Sequence, residues 1–239
     1  MLTLFLDTTA QVMRLALMQH NQWLAQIANP VEAQKTHSSM LIPELQALLR
    51  TLCLTPPDIN RVVVNVGPGS FTGLRTSVSL AKTIGQFVSD CQLIALNTLA
   101  IEAMAWRLSP VSDKKEAANV TVLLNARNQT MYRAIVSFSA QGYVHLEQPA
   151  QWLPWQEAGS PENASFGAHH VICLHNLPCN SLPAEFSSFT ELQPLCSEHT
   201  VWLEAMAACL NHPSLYDLCS WQKLAPLYLQ PPRATIKKA

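Results

Sequence analysis

Leu2-Thr3-Leu4-Phe5-Leu6-Asp7-Thr8-Thr9, followed by Val12–Met18 and Gln22–Ile27, is the stretch that decides how this chain is read. A continuous apolar run as short as Leu2–Leu6 is the pattern of a buried strand. Asp7-Thr8-Thr9 then supplies short side chains that bond their own backbone in a turn. Val12–Met18 and Gln22–Ile27, separated by His20-Asn21, complete a β-meander. The theme returns at an offset of 118, where Asn119–Phe138 lies over Met1–His20 and pairs Thr3 with Thr121, Leu6 with Leu124, Gln11 with Gln129, Met13 with Met131 and Ala16 with Ala134. Trp23-Leu24 matches Tyr143-Val144 after a two-residue insertion. Repetition of a strand–turn–strand–turn–strand unit implies two related halves.

Outward from the first meander, a helix is predicted over Thr36–Thr51, with the apolar stripe Leu41, Leu45, Leu48 and Leu52. Pro43 demands a place in its first turn or at a bend. Thr55-Pro56-Pro57-Asp58 breaks the chain before a β-branched strand, Arg61–Val66, that runs into Gly67-Pro68-Gly69-Ser70. A helix over Ser70–Val88, a strand over Leu93–Leu96 and a helix over Thr98–Leu108 complete the first half. Ser109–Ala118, with Pro110 and Asp113-Lys114-Lys115-Glu116, is the expected linker. The expected division is therefore 1–108 and 109–239, the second part a reduced, proline-broken copy with a strand at His170–Leu174 and a helix near Thr200–Leu210. Its final segment, Ala225–Pro231, is free to pack back on the first part. An α/β chain with a duplicated meander followed by helices and parallel strands is similar in plan to the actin/hexokinase/Hsp70 ATPase superfamily. In that fold the first turn faces a nucleotide phosphate, which makes Asp7, Thr8 and Thr9 a candidate phosphate-facing turn.

Composition bounds the function. The 239 residues are 49% apolar and 13% charged with a formal net charge of −1. Disorder is excluded by that balance, and so is an autonomous tRNA or DNA binder, which would carry a basic excess. Seven widely spaced cysteines (Cys53, Cys91, Cys173, Cys179, Cys196, Cys209, Cys219) are an odd number in a chain of this size, which points to reduced thiols and a cytosolic setting. The N-terminus has no basic region and meets Asp7 early, unlike a signal peptide. No run of 18 apolar residues is present. A soluble, cytoplasmic protein is expected, with no membrane partner.

Gly67–Arg75 carries most of the remaining information. A strand entering a glycine turn and a helix N-terminus could cradle an anion with backbone N–H groups. The same residues could equally form a plain tight turn with Ser70 as N-cap. The block is neither a Walker A loop, since Thr72 follows where Gly-Lys is needed, nor a nucleophile elbow, since Pro68 replaces the first required residue. Gly73, Ser77, Ala81 and Gly85 recur at intervals of four as a small-residue stripe. Two helix glycines on one face ask for the close approach of another backbone, internal or on another chain. Apolar neighbours around the stripe imply a helix buried on nearly all sides.

Asp7 corresponds to Asn125 in the repeat, so paired carboxylates for metal work are missing. Gly142, Gly159 and Gly167 stand singly and make no second phosphate turn, so a complete kinase site is not expected. His169, His170, Cys173, His175 and Cys179 match no standard ligand spacing, and no metal is assigned. His37 reads as a capping or interface residue.

The Leu4–Thr9 opening, His37-Ser38, Gly67–Arg75, Asn125-Ala126-Arg127 with Met131-Tyr132, and Pro226-Leu227-Tyr228-Leu229 together resemble the TsaB (YeaZ) family. That family is the non-catalytic, glycoprotease-like subunit of the bacterial complex that makes threonylcarbamoyladenosine in tRNA, beside the anticodon. The resemblance implies a scaffold that activates the paralogue TsaD, works with TsaE, and meets ATP or ADP and tRNA only through the complex. It also implies that this chain lacks the helical histidines that hold the metal of TsaD. Residues 36–51 and 70–88 would pack against the same helices of TsaD or of a second copy. The expected contacts are His37, Leu41, Leu45, Leu48, Ser70, Phe71, Gly73, Leu74, Ser77 and Ala81, and a phenylalanine at Ser77 or Ala81 would block association while leaving the monomer folded. The chain departs from the family at Asn125, where Asp is commoner, and at Gln230, where Arg is usual. The alternative of another class is a stand-alone actin-like kinase or glycoprotease. Arg233, Lys237 and Lys238 form a basic tail, read as solvated rather than as a tRNA contact.

Overall fold

The apolar opening run forms β1 (Leu2–Asp7), buried at every position. A strand covered on both faces reads as a continuous apolar run. The computed structural model describes residues 1–30, 36–108, 118–126, 129–139, 143–154, 169–174, 192–194 and 199–229. β1 pairs antiparallel with β2 (Val12–Gln19), which pairs antiparallel with β3 (Gln22–Pro30). β4 (Ile59–Gly67) joins β1 in parallel and β5 (Gln92–Asn97) joins β4 in parallel. The second half repeats this order with β6 (Ala118–Asn125), β7 (Thr130–Phe138), β8 (Val144–Pro154), β9 (His169–Leu174) and β10 (Leu192–Pro194), arranged β8-β7-β6-β9-β10. These five strands of each sheet therefore share one topology, three antiparallel strands extended by two parallel ones.

The repeat holds with one slip. In the first hairpin Asp7 lies opposite Arg14. In the second, Tyr132, which lies 118 positions beyond Arg14, faces Leu124 rather than Asn125. Arg14 and Tyr132 keep the same inward face, since Ala16 and Ala134 both enter one core cluster. β6 is therefore displaced by one residue relative to the simple offset, and the place of Asp7 is taken by Leu124. A one-residue slip exchanges the faces of a strand, which puts Val120 and Val122 into the core where the offset would have put Thr121.

Helices α1 (His37–Thr51) and α2 (Phe71–Phe87) cover the outer face of the first sheet, where Leu41, Leu45, Val78 and Ala81 pack on Leu4, Leu6, Val62 and Val64. Between the two sheets lie α3 (Thr98–Leu108) and α4 (His199–Cys209), packed on each other. Their shared core joins Phe5 and Val63 of one sheet to Val120, Val122 and Ala134 of the other, with Trp106, Trp202 and Met206 between. The Val62-Val63-Val64 run is explained by this sandwich, since alternate valines enter the two cores.

Three expectations need correction or completion. Pro43 sits in the second turn of α1, not in the first turn that was one of the two places the sequence reading allowed. It is exposed, as is Ser39, whose carbonyl has no helical donor because proline lacks the N–H. Thr36, not His37, is the N-cap of α1, accepting from the Ser39 backbone N–H at 3.3 Å. The end of the described chain returns to the first sheet: β11 (Tyr216–Cys219) pairs antiparallel with β5, Leu224 is buried in the core under α1 and α2, and the Leu227 N–H donates to the Val66 carbonyl at 2.7 Å. The linker residues 109–117, together with Arg127, Gly142, Gly159, Gly167, His175, Cys179, Gln230, Arg233, Lys237 and Lys238, lie outside the described residues. Among the described residues no helix is long and apolar enough to cross a membrane.

Candidate docking groove and the filled turn beside it

The glycine block packs directly on the Asp7 turn. Gly67 has φ +109°, a conformation open to glycine, and starts the bend that brings α2 back over the end of β1. The Ser70 N–H donates to the Thr9 carbonyl at 2.8 Å, and the Ser70 side chain caps α2 by accepting from the Gly73 N–H at 3.3 Å. Thr8 Oγ1 donates to the Gly73 carbonyl at 2.6 Å. Any side chain at Gly73 would run into the Thr8 backbone. The close backbone approach anticipated for the helix glycines is thus internal at Gly73, whereas Gly85 meets a side chain, that of Leu93, and no backbone.

Asp7 is wholly buried, and its carboxylate is spent within the chain. Oδ1 accepts from the Thr9 N–H (2.9 Å), Thr9 Oγ1 (2.7 Å) and Asn65 Nδ2 (3.2 Å), and Oδ2 pairs with Arg14 Nη1 at 3.1 Å. Asn65 Oδ1 in turn accepts from the Gly67 N–H (3.0 Å) and Thr98 Oγ1 (2.9 Å). The Arg14 guanidinium lies over the Trp202 ring, 4.7 Å from its centroid, which ties the first sheet to α4. Glu102, also buried here, has its carboxyl held well above the usual carboxylate range by burial, with Arg14 opposing and Asp7 reinforcing. Asp7, Thr8 and Thr9 are the turn that the sequence offers as phosphate-facing. All three are buried, and each carries hydrogen bonds within the chain.

The outward sides of α1 and α2 differ from this. They flank an open groove of about 480 Å³, lined by Ser38, Leu41 and Ile42 of α1 and by Phe71, Thr72, Arg75, Thr76, Ser79, Leu80 and Thr83 of α2. Ile42 is 50% exposed and Phe71 58%. Thr76 Oγ1 donates back to the Thr72 carbonyl (3.0 Å) and Thr83 Oγ1 to the Ser79 carbonyl (2.9 Å), so these hydroxyls are occupied by their own helix. The Tyr228 ring packs on Phe71, centroids 5.4 Å apart, and the Arg75 guanidinium lies 5.4 Å from the Phe71 centroid on the helix.

Of the expected contact residues, Ser70 and Phe71 are exposed and His37 is half-buried. His37 lies beside the Ala10 backbone, and burial lowers its pKa against the opposing pull of Ala10 and Asp7. Leu41 forms the groove floor. Leu45, Leu48, Gly73, Leu74, Ser77 and Ala81 do not belong to the surface. They face the chain's own sheet, and Ser77 and Ala81 have no exposed area. Gly85 likewise meets Leu93 of β5.

The profile of the TsaD family, described as tRNA N6-adenosine threonylcarbamoyltransferase, matches residues 21–179. The chain belongs to the TsaD family. It is 28% identical over 142 residues to the Bacillus subtilis tRNA threonylcarbamoyladenosine biosynthesis protein TsaB, covering 56% of this chain and 60% of that protein. Against the Escherichia coli protein of the same name the figures are 30% over 115 residues, 48% and 47%. The chain thus spans about half the length of the curated relatives it matches. YeaZ from Pseudomonas aeruginosa superposes with a TM-score of 0.69 at 17% identity, over 95% of this chain and 99% of that one. The TsaB/YeaZ kinship read from the opening turn and the glycine block stands, and so does the duplicated α/β fold.

In this TsaD-family chain the sequence reading missed Asn65, Glu102 and the placement of Tyr228. Asn65 had a signal, a lone amide inside a valine strand. Glu102 had a similar one, a single carboxylate in the otherwise apolar Thr98–Trp106 run. The placement of Tyr228 against a helix more than 150 residues earlier had none.

Proposed function

We propose that this chain is a non-catalytic subunit that binds the transferase TsaD through the α1–α2 groove and supports threonylcarbamoyl transfer onto the adenosine beside the tRNA anticodon. The observation that carries this reading is the contrast between two adjacent features. The Asp7 turn is closed by its own side chains, whereas the groove offers exposed apolar area on two rigid helices. Exposed apolar surface of this kind on a folded chain marks a protein contact. TsaE joins the assembly, and ATP or ADP and tRNA are handled by the complex in the cytoplasm. A near-neutral chain with no basic excess fits a subunit that meets tRNA only with its partner. The alternative enzyme reading finds no support in Asp7, whose carboxylate is already taken by Arg14, Thr9 and Asn65.

The test is a reconstitution with TsaD and TsaE from the same organism. The chain alone should show no ATP turnover or transfer, and adding it to TsaD and TsaE should raise transfer to tRNA. Turnover by the isolated chain that is lost in Asp7→Ala contradicts the proposal.

A further inference from the structure

Arg14, Trp202 and Glu102 meet in the core between the two sheets and come from three different elements, β2, α4 and α3. Asp7 and Arg14 lie on the inner face of the first sheet, in step with Phe5 and Ala16, which enter that core. Arg14 Nη1 donates to Asp7 Oδ2 at 3.1 Å, and its guanidinium covers the Trp202 ring at 4.7 Å. Two N–H donors here are buried and, among the described residues, meet no acceptor: Arg14 Nε and the indole Nε1 of Trp202. Glu102, itself buried, lies within electrostatic reach of both Arg14 and Asp7. A buried donor without an acceptor is costly, and an ionised carboxylate is the strongest acceptor a neighbouring side chain can offer.

We propose that these three residues form a proton-operated latch between the two halves of the molecule. While Glu102 carries its proton, Arg14 is held by Asp7 and stacks on Trp202. When Glu102 gives its proton to solvent, its carboxylate accepts from Arg14 Nε and Trp202 Nε1, and Arg14 comes to bridge two acids. α3 is then tied to β2 and to α4 by hydrogen bonds that the protonated form lacks. The charge count sets the resting state: the cluster is neutral with Asp7 ionised and Glu102 protonated, and carries one negative charge when both acids are ionised. Burial above all favours the protonated acid, with Arg14 opposing and Asp7 reinforcing. The other groups around α3 do not compete. Cys209 of α4 has its thiol pushed up to about 12 by burial, and burial also raises the Tyr132 hydroxyl of β7. Arg61 of β4 donates to Gln92 Oε1 at 3.0 Å, Arg107 of α3 lies over the Phe138 ring, Glu204 of α4 is exposed, and β5 and β6 carry no titratable residue. His37 of α1 feels the Asp7 charge, but burial lowers its pKa below the usual histidine value, so it calls for a control of its own.

Nuclear magnetic resonance of the full chain, labelled with 15N in tryptophan and 13C in glutamate and titrated from about pH 5 to about pH 9, tests this. The Trp202 indole N–H, identified by its loss in Trp202→Phe, should move downfield along one titration curve as pH rises. The Glu102 carboxyl carbon should titrate with the same midpoint, above the ordinary glutamate value of about 4.3. The indole shift should be lost in Glu102→Gln and kept in His37→Gln. An indole resonance that holds still while the Glu102 carboxyl titrates overturns the latch, and so does a pH shift that persists unchanged in Glu102→Gln. A Glu102 carboxyl that keeps one protonation state across the whole range overturns it as well. The carboxyl and indole readings are made on the wild-type chain, so they decide the question where Glu102→Gln fails to fold.

Discussion

At the scale of the residue, the polar side chains that invite a catalytic reading are committed to holding the fold. Asp7, Arg14, Asn65 and Thr98 form one buried chain of hydrogen bonds linking β1, β2, β4 and the start of α3. Glu102 is buried beside this chain, and burial above all, opposed by Arg14 and reinforced by Asp7, favours its neutral form. Its pKa in the fold lies above the unfolded value of about 4.3. The protonated acid is therefore the form the fold prefers, and the stability it allows is full below that unfolded value and falls as pH rises towards the folded one. Glu102→Gln should accordingly raise the urea midpoint at pH 7 to 8 and change it little near pH 4. An equal effect at both pH values would show that Glu102 acts through packing. The sequence offered Asp7 as a candidate because an acid at a strand end is ambiguous. Only the neighbours supplied by β2 and β4, which are distant in sequence, decide that it is consumed.

At the scale of the element, periodicity located the helices well but could not say what covers their apolar faces. The stripes Leu41/Leu45/Leu48 and Gly73/Ser77/Ala81/Gly85 are correct as inward faces. Hydrophobic spacing says that one face is covered, but not whether the cover is the chain's own sheet or another protein. Here the sheet covers both stripes, and the sides that line the groove are the less regular Ser38/Ile42 and Phe71/Arg75/Ser79 rows. This reverses the expected outcome for one substitution. Ser77→Phe forces an aromatic ring into a site with no exposed area and should cost several kcal/mol, enough to threaten folding. Ile42→Asp, on the half-exposed face, should leave the thermal midpoint nearly unchanged. Circular dichroism melts of the two variants check this, and a Ser77→Phe protein as stable as wild type would place that stripe at the surface after all.

At the scale of the whole molecule, the duplication was visible as five identities at one offset, and the two sheets share a topology. The displaced strand β6 could not be read from those identities, because a hairpin register depends on turn geometry that five matching letters do not fix. The return of β11 and Leu224–Leu229 onto the first sheet was foreseen only as a possibility of the chain's ending. It sets Tyr228 against Phe71, one of the residues that line the groove. The low charge of the sequence acquires a location here, in two helices whose exposed sides are largely uncharged. The central claim is that this side of α1 and α2 is where TsaD docks. Calorimetry of wild-type chain and Phe71→Ala against TsaD tests it most directly: removing this half-exposed ring should weaken binding tenfold or more without lowering the melting temperature of the isolated chain. Equal affinity for the two proteins would contradict the account.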